Sequence, residues 1–444
     1  MIHLNRAAFI RSGAASVLAP MIPVSVSGKP ENVCPQLPTV SISALVLSGG
    51  TAHGAYEAGV VSQLRIRDFD FIVGTSIGAL NGALFSTQKK INGSDEMVIS
   101  WLWNHLVDHE ILTLKPDVQK LISNRWPLFK IAPAVRVGMG ATFDDLVSLA
   151  ETEPVRKMLR TYLLTDDGVI EDFSRPLIWT TTDLSHGCAG FYYRLPKEDY
   201  KLASGEANLS ISEVEKNLVG LPISTYKDNT THFLESLRAS SALPGVFEPA
   251  VLPDSQNPEF KHVLIDGGVV NNTPMVLAMR AARIAYPYPR SLSLTLNTIV
   301  LREGFAGSAK HELKNILGIG LGSYALMSQR LFDEAARQAY RLGQRFENEA
   351  ILNQQVKSQL QTQDSFALRS ETVDTPVGNL DRRLLPNSVR LRILRPSTAL
   401  KGSPYDFKSQ DLISWNFELG VKNISEQKDP WVDYVEPPEF CYLG

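Results

Sequence analysis

Residues 69–82 read FDFIVGTSIGALNG, an apolar run that breaks at Gly74 and continues in small and apolar residues. The first part is typical of a buried β-strand and the second of a helix that packs on a sheet. Ser76 lies between them in a Gly-x-Ser-x-Gly pattern that ends at Gly78. In this context the two glycines allow a sharp turn that exposes the serine hydroxyl. Ser76 is therefore a candidate nucleophile, and a tight turn without chemistry is the alternative.

A second strand-turn-helix pattern lies at residues 43–61, SALVLSGGTAHGAYEAGVV. The backbone N–H groups of Gly49, Gly50 and Thr51 precede the predicted helix, where its dipole favours negative charge. They are candidate donors to the oxyanion that forms when a serine attacks an ester carbonyl. Phosphate binding is the alternative, but neither GxxxxGK nor GxGxxG spacing is present.

A candidate base occurs in residues 262–274, HVLIDGGVVNNTP, where Asp266 ends an apolar strand and two glycines follow. Open α/β sheets place their ligands at the carboxyl ends of strands. A carboxylate there can accept the proton of a nucleophilic serine. A simple Asp-Gly-Gly turn is the alternative interpretation.

Short β-rich runs alternate with helical ones from residue 42 onward, which predicts an α/β fold with a mainly parallel central sheet. We expect a catalytic core at 42–300, a helical extension with a polar linker at 301–386, and a strand and helix at 387–444 that pack back on the core. The strand candidates are ALVLSGG, FDFIVGTS, PLIWTTTDL, HVLIDGG and LSLTLNTIVL.

The N-terminal residues 1–28 contain Arg6 and Arg11, no acidic residue, and a modestly apolar run of small residues. That order is typical of a removable signal peptide, with 29–41 as a linker. It predicts export to the periplasm or the exterior. The alternative is a frayed tail on a cytoplasmic or membrane-associated protein.

The composition of the chain limits the kinds of molecule that it is expected to bind. The formal net charge of -3 gives no general basic field for nucleic acid. The three cysteines, Cys34, Cys188 and Cys441, are far apart and form no CxxC pair or metal-spaced cluster with histidine. The sequence thus predicts neither a metal site nor an organic cofactor, and it gives no indication of oligomeric state.

The motifs SGGTAHG, GTSIG and DGG occur in the order of the patatin-like phospholipase family, which the chain resembles. The flanking segments GAYEAGVV, TTTDLSHG, RASSALPGVFEP and DGGVVNNTP also resemble blocks of that family. The resemblance implies a three-layer α/β/α fold with additional helices. It further implies hydrolysis of lipid or other acyl esters, with contact to a membrane surface, by a dyad in which Asp266 is the direct base of Ser76.

The chain departs from the family pattern at Thr51 and His53, where a third glycine and an arginine or lysine are usual. We expect His53 and Gly54 to lie behind the oxyanion loop and not to act on substrate directly. Two alternatives remain open. One is a Ser-Asp-His triad completed by His311, and the other is a binding protein that has kept the fold without activity.

Overall fold

The computed structural model describes most of the chain from the first strand onward. All of its described residues lie in one compact unit, Pro38–Gly444. The described residues are 39–116, 118–119, 148–205, 208–212, 229–254, 257–285, 291–301, 331–341, 343–344, 372–375, 378–381, 388–403 and 406–434. The predicted signal peptide at 1–28 and His311 therefore lie outside the described residues.

Strand and helix alternate over residues 39–87, and groups of successive helices or successive strands follow. The strands are β1 Thr39–Leu47, β2 Phe71–Thr75, β3 Leu177–Asp183, β4 Cys188–Arg194, β5 Tyr200–Lys201, β6 Asn208–Leu209, β7 Ala250–Pro253, β8 Lys261–Asp266, β9 Ser291–Ile299, β10 Thr372–Thr375, β11 Gly378–Asp381, β12 Ser388–Leu394 and β13 Val432–Asp433. The helices are α1 Gly54–Ser62, α2 Ile77–Thr87, α3 Val98–Asn104, α4 Glu153–Leu163, α5 Thr230–Ser240, α6 Met275–Ala285 and α7 Gln410–Ser425.

The central sheet has nine strands among the described residues, in the order β13-β12-β9-β1-β2-β3-β8-β7, with β4 also paired to β3. The five strands from β12 to β3 run parallel, and β4, β7, β8 and β13 are antiparallel to their partners. This mostly parallel sheet, flanked by helices, confirms the predicted α/β fold class.

The sheet is covered on both faces, as the apolar character of its strands predicts. Successive residues of β1 alternate between two cores: Leu45 and Leu47 pack in one, and Ala44 and Val46 in the other. The first core contains residues of α1, α2 and α7, and the second contains residues of α6. These two cores hold the central strands in place from both sides.

Two strands meet end to end along one edge of β3. The end of β2 pairs in parallel with β3, with Thr75 opposite Thr180. The end of β8 pairs antiparallel with the next residues of β3, with Asp266 opposite Thr181. Because β4 occupies the other edge of β3 along its whole length, β2 and β8 share this edge and point toward each other. The residues that follow Thr75 and the side chain of Asp266 therefore face one another.

The C-terminal part of the chain is built into the sheet. β12 pairs in parallel with β9 over its whole length, and α7 packs against α1. β1 begins at Thr39, inside the segment that the sequence predicts as a linker. Among the described residues, no helix combines the length and the apolar character needed to cross a membrane.

Candidate active site

Ser76 lies in the sharp turn between β2 and α2. Its backbone is at φ 57° and ψ -127°, a region that non-glycine residues rarely adopt. A Cβ at Gly74 would lie 2.6 Å from the carbonyl oxygen of Gly78, and a Cβ at Gly78 would lie 2.6 Å from that of Leu47. The two glycines thus allow α2 to leave β2 abruptly, and the turn holds the Ser76 side chain at the end of the strand.

The hydroxyl of Ser76 donates a hydrogen bond to Asp266 across the gap between the two strand ends. The distance between Ser76 Oγ and Asp266 Oδ2 is 2.7 Å, and both residues are buried. The other carboxylate oxygen, Oδ1, accepts the backbone N–H of Gly268 at 2.6 Å. The bond from Gly268 thus holds the carboxylate by Oδ1, while Oδ2 accepts the serine hydroxyl.

Hydrogen bonds from neighbouring elements hold both partners in place. The N–H of Ser76 donates to Ser240 Oγ at 2.9 Å, and Ser240 Oγ in turn donates to the carbonyl of Thr180 at 2.6 Å. The hydroxyl of Thr182 donates to the carbonyl of Asp266 at 2.9 Å. Sequence reasoning missed Ser240, although it lies within RASSALPGVFEP, one of the segments that resemble the family.

Residues 49–51, here called the glycine loop, lie directly over the turn that contains Ser76. A Cβ at Gly49 would lie 2.4 Å from Asn272 Oδ1 and 3.1 Å from Ser76 Cβ. The N–H of Gly49, one of the three predicted oxyanion donors, donates to the carbonyl of Asn272 at 3.0 Å. Asn272 Nδ2 returns a bond to the carbonyl of Gly49 at 3.3 Å. The N–H of Gly49 thus anchors the loop to Asn272. The N–H groups of Gly50 and Thr51 remain the candidate donors to an oxyanion.

Thr51 occupies a conformation that suits glycine better. Its φ is 53°, in the left-handed region, where a β-branched side chain is strained by about 1 kcal/mol or more. Its hydroxyl donates to the carbonyl of Gly50 at 2.7 Å. Glycine adopts this backbone conformation without strain, and in this chain threonine adopts it.

His53 and Gly54 lie behind the loop. The distance between His53 Nε2 and the carbonyl oxygen of Gly402 is 3.2 Å, so this nitrogen is the donor. The carbonyl of Gly54 accepts a bond from Asn81 Nδ2 at 3.0 Å. The contact of His53 ties the loop to the segment that precedes α7.

A cavity of about 170 Å³ opens beside Ser76 and Thr51. Its wall is almost entirely apolar and comes from α2, α3, α4 and the loops around residues 111–114 and 241–247. The other lining residues are Ile77, Leu80, Asn81, Leu84, Leu102, Trp103, Leu106, Ile111, Leu112, Leu114, Leu149, Thr152, Val155, Met158, Arg238, Ser241, Ala242, Leu243, Val246, Phe247 and Phe407. Of these residues, Leu102 and Trp103 lie on α3.

A buried polar network closes one side of this cavity. Asn81 Nδ2 donates to Glu57 Oε1 at 2.9 Å, and Asn81 Oδ1 accepts the indole N–H of Trp103 at 2.8 Å. Glu57 is fully buried, and this burial raises its pKa to about 8, although hydrogen bonds from Asn81 and the backbone of Ser48 oppose the shift. Glu57 is therefore protonated at neutral pH.

The raised pKa of Glu57 predicts a pH-dependent stability. The folded state binds the proton of Glu57 more tightly than the unfolded state does. The contribution of Glu57 to the free energy of unfolding is therefore complete below about pH 4 and declines as the pH rises toward 8. Glu57→Gln keeps the shape and the neutral charge, so we expect it to flatten that decline and to be more stable than the wild type at pH 8 by at least about 1 kcal/mol. Thermal unfolding between pH 5 and pH 8 measures this. An equally steep decline in Glu57→Gln would contradict it, and the exposed Glu198→Gln is the control.

The fold and the serine-carboxylate pair define an α/β protein with a strained serine at the end of a strand, and the comparisons assign its family. A family model for patatin-like phospholipases matches residues 45–279. Because this match spans more than half of the chain, the protein belongs to the patatin-like phospholipase family, as the resemblance predicts. At family level it is a lipid acyl hydrolase, with lipids as the substrate class.

Other comparisons add little. No curated protein matches the chain. Among solved structures, the chain is similar to VipD from Legionella pneumophila, with 12% sequence identity over 90% of this chain and 70% of that chain. The TM-score of 0.29 is too low for that likeness to carry an argument.

Proposed function

We propose that this protein hydrolyses carboxylic ester bonds of lipids by a dyad in which Ser76 is the nucleophile and Asp266 its base. The observation that carries the proposal is the 2.7 Å hydrogen bond from Ser76 Oγ to Asp266 Oδ2 in a buried site at the mouth of an apolar cavity. A serine is a weak nucleophile unless an adjacent group accepts its proton. Asp266 stands at the distance that such a transfer needs.

In the proposed reaction, Ser76 Oγ bonds to the ester carbonyl carbon while its proton passes to Asp266 Oδ2. The tetrahedral intermediate collapses, the bond to the leaving alcohol breaks, and that alcohol takes the proton from Asp266. Water then attacks the acyl-serine with Asp266 again as base, which releases the fatty acid and restores Ser76.

The amides of Gly50 and Thr51 are the proposed donors to the negative oxygen of the intermediate. They lie at the start of the short helical turn Thr51–His53 that leads into α1, where backbone N–H groups favour an anion. Their positions depend on the anchoring of Gly49 by Asn272. Thr51 and Ser76 both have positive φ and both line the cavity.

The cavity beside Ser76 is the proposed acyl site. Each methylene that moves from water into an apolar pocket contributes about 0.8 kcal/mol, close to a fourfold gain. We expect kcat/KM to rise with acyl length until the pocket is filled. Hydrolysis of a series of esters that differ only in acyl length measures this, with Ser76→Ala as the matched background control.

The outcome of this series also separates the alternatives. A flat or falling profile from acetate upward would contradict a lipid pocket. Absence of any hydrolysis above the Ser76→Ala background, on all esters and on phospholipid vesicles, would favour a binding protein that has kept the fold. The triad alternative needs His311 as base, and a loss of activity in His311→Ala would favour it.

A further inference from the structure

A cluster of polar side chains lies at the start of β8, at the opposite end of this strand from Asp266. Asp183 Oδ2 is 2.7 Å from His186 Nδ1 and 2.8 Å from His262 Nδ1. One donor atom from each of the three residues falls within 4.8 Å of the other two. The carboxylate is buried, His262 is nearly so, and the His186 side chain is 49% exposed. The cluster is thus an enclosed group with one open side.

The fold brings these residues together from separate parts of the chain. Asp183 is the last residue of β3, His186 lies in the turn after it, and His262 lies on β8, which pairs with this end of β3. The ring of Phe260 lies 5.0 Å from that of His186 and 5.4 Å from that of His262. An aromatic side chain therefore shields one side of both imidazoles.

From this geometry we propose that Asp183, His186 and His262 bind one divalent first-row transition cation, with Zn²⁺ as its representative. Two imidazole nitrogens and one carboxylate oxygen suit such cations, whereas Ca²⁺ and Mg²⁺ prefer oxygen ligands alone. When the cation binds, it takes the place of the protons that now link the two Nδ1 atoms to Asp183. His262 loses its Nδ1 proton to solvent and keeps the proton on Nε2, and His186 binds as the neutral tautomer with its proton on Nε2. Water completes the coordination on the open side.

A fourth residue supports this assignment. His262 Nε2 lies 3.0 Å from Asp254 Oδ2, so the far nitrogen of the imidazole donates to a carboxylate. Histidines that bind metals are usually oriented in this way, with the second ring nitrogen bonded to a carboxylate or a carbonyl. Asp254 thus fixes the ring orientation and the tautomer that leaves Nδ1 for the cation.

The cation would join β3, the turn that follows it and β8. His262 lies four residues before Asp266, about 13 Å along an extended strand. At that distance the cation does not touch the reacting atoms, and its role is to hold the strand that presents Asp266. Sequence analysis did not predict this site, because His262 is distant from Asp183 along the chain and no spacing pattern links them.

The test uses the full-length protein without a histidine tag, stripped of metal. Isothermal titration with Zn²⁺ should give one site, and Co²⁺ should give the visible absorption bands of a protein-bound ion. We expect His186→Ala and His262→Gln to weaken Zn²⁺ binding at least about a hundredfold, and Asp254→Asn about ten- to a hundredfold. His105→Gln, a histidine that stacks on Trp101 outside the cluster, is the matched control.

Several outcomes would overturn the proposal. One is a wild type that binds no Zn²⁺, which would make the cluster a hydrogen-bonded pair of histidines only. Another is binding that His186→Ala and Asp254→Asn leave unchanged. Circular dichroism checks that each variant is folded. If His186→Ala or His262→Gln does not fold, the Zn²⁺ affinity of Asp254→Asn decides the question. None of these measurements uses hydrolysis, so they stand apart from the proposed enzymatic function.

Discussion

Asp266→Asn is expected to fold normally and to lose about a thousandfold in kcat/KM on an acyl ester. The amide can still accept the N–H of Gly268 through its remaining oxygen, but it cannot take the proton of Ser76. Ser76→Ala should lose a comparable factor. Because the two residues act as one unit, the double variant should be little worse than either single variant. Steady-state kinetics and labelling by a serine-directed fluorophosphonate probe measure these effects.

The controls for this prediction separate the Ser76–Asp266 dyad from catalysis by a histidine. Asp108→Asn, an exposed aspartate, should keep full activity. His53→Ala should lose about tenfold or less, because His53 bonds the carbonyl of Gly402 and not the dyad. His311→Ala should leave the rate unchanged. Near-normal activity in Asp266→Asn, together with a large loss in either histidine variant, would refute the dyad.

Gly420→Ala is expected to destabilise the protein by about 3 kcal/mol. α1 and α7 cross in close contact, and a Cβ at Gly420 would lie 2.1 Å from the carbonyl oxygen of Tyr56. On the facing helix, a Cβ at Gly59 would lie 2.0 Å from the carbonyl oxygen of Phe417. Both obstacles are backbone atoms, so the helices must separate, and overpacking of this kind typically costs 1–3 kcal/mol or more. Unfolding in urea measures the change in free energy.

Two comparisons sharpen this second prediction. Glu418→Ala, at an exposed position of the same helix, should change the free energy of unfolding by less than about 0.5 kcal/mol. Gly59→Ala should destabilise as Gly420→Ala does, and the double variant should lose less than the sum, since the first methyl group already separates the helices. Wild-type stability in Gly420→Ala would show that the helix pair packs less tightly than described.

Much of the fold follows from local pattern. The runs that contain Val73, Leu45 and Leu264 are continuous and apolar, and each is a strand of the central sheet. Glycines at fixed offsets from Ser76 predict the turn after β2, because steric exclusion acts within a few residues. The α/β class and the family are confirmed for this reason. The roles of Ser76 and Asp266 stay predictions that the kinetics above decide.

The features that the sequence did not predict depend on partners far away in the chain. No local pattern says that β8 runs antiparallel to β3 and meets β2 end to end, because pairing direction is set by the connections between strands. The same holds for Ser240, whose hydroxyl reaches the turn from α5, and for Asn272, which uses the Gly49 amide. Thr51 could not be predicted to adopt a left-handed conformation, since this is uncommon for threonine.

The contact between α1 and α7 also affects when the site can assemble during synthesis. The glycine loop leads into α1, and α1 packs on α7. Because α7 comprises residues 410–425, it is synthesised long after the loop and α1. Ser76 and Asp266 leave the ribosome well before that helix does. The nascent chain therefore contains Ser76 and Asp266 before it contains the helix that packs behind the loop. Completion of the packing behind the loop therefore waits for a helix that lies more than 300 residues further along the chain than the loop it supports.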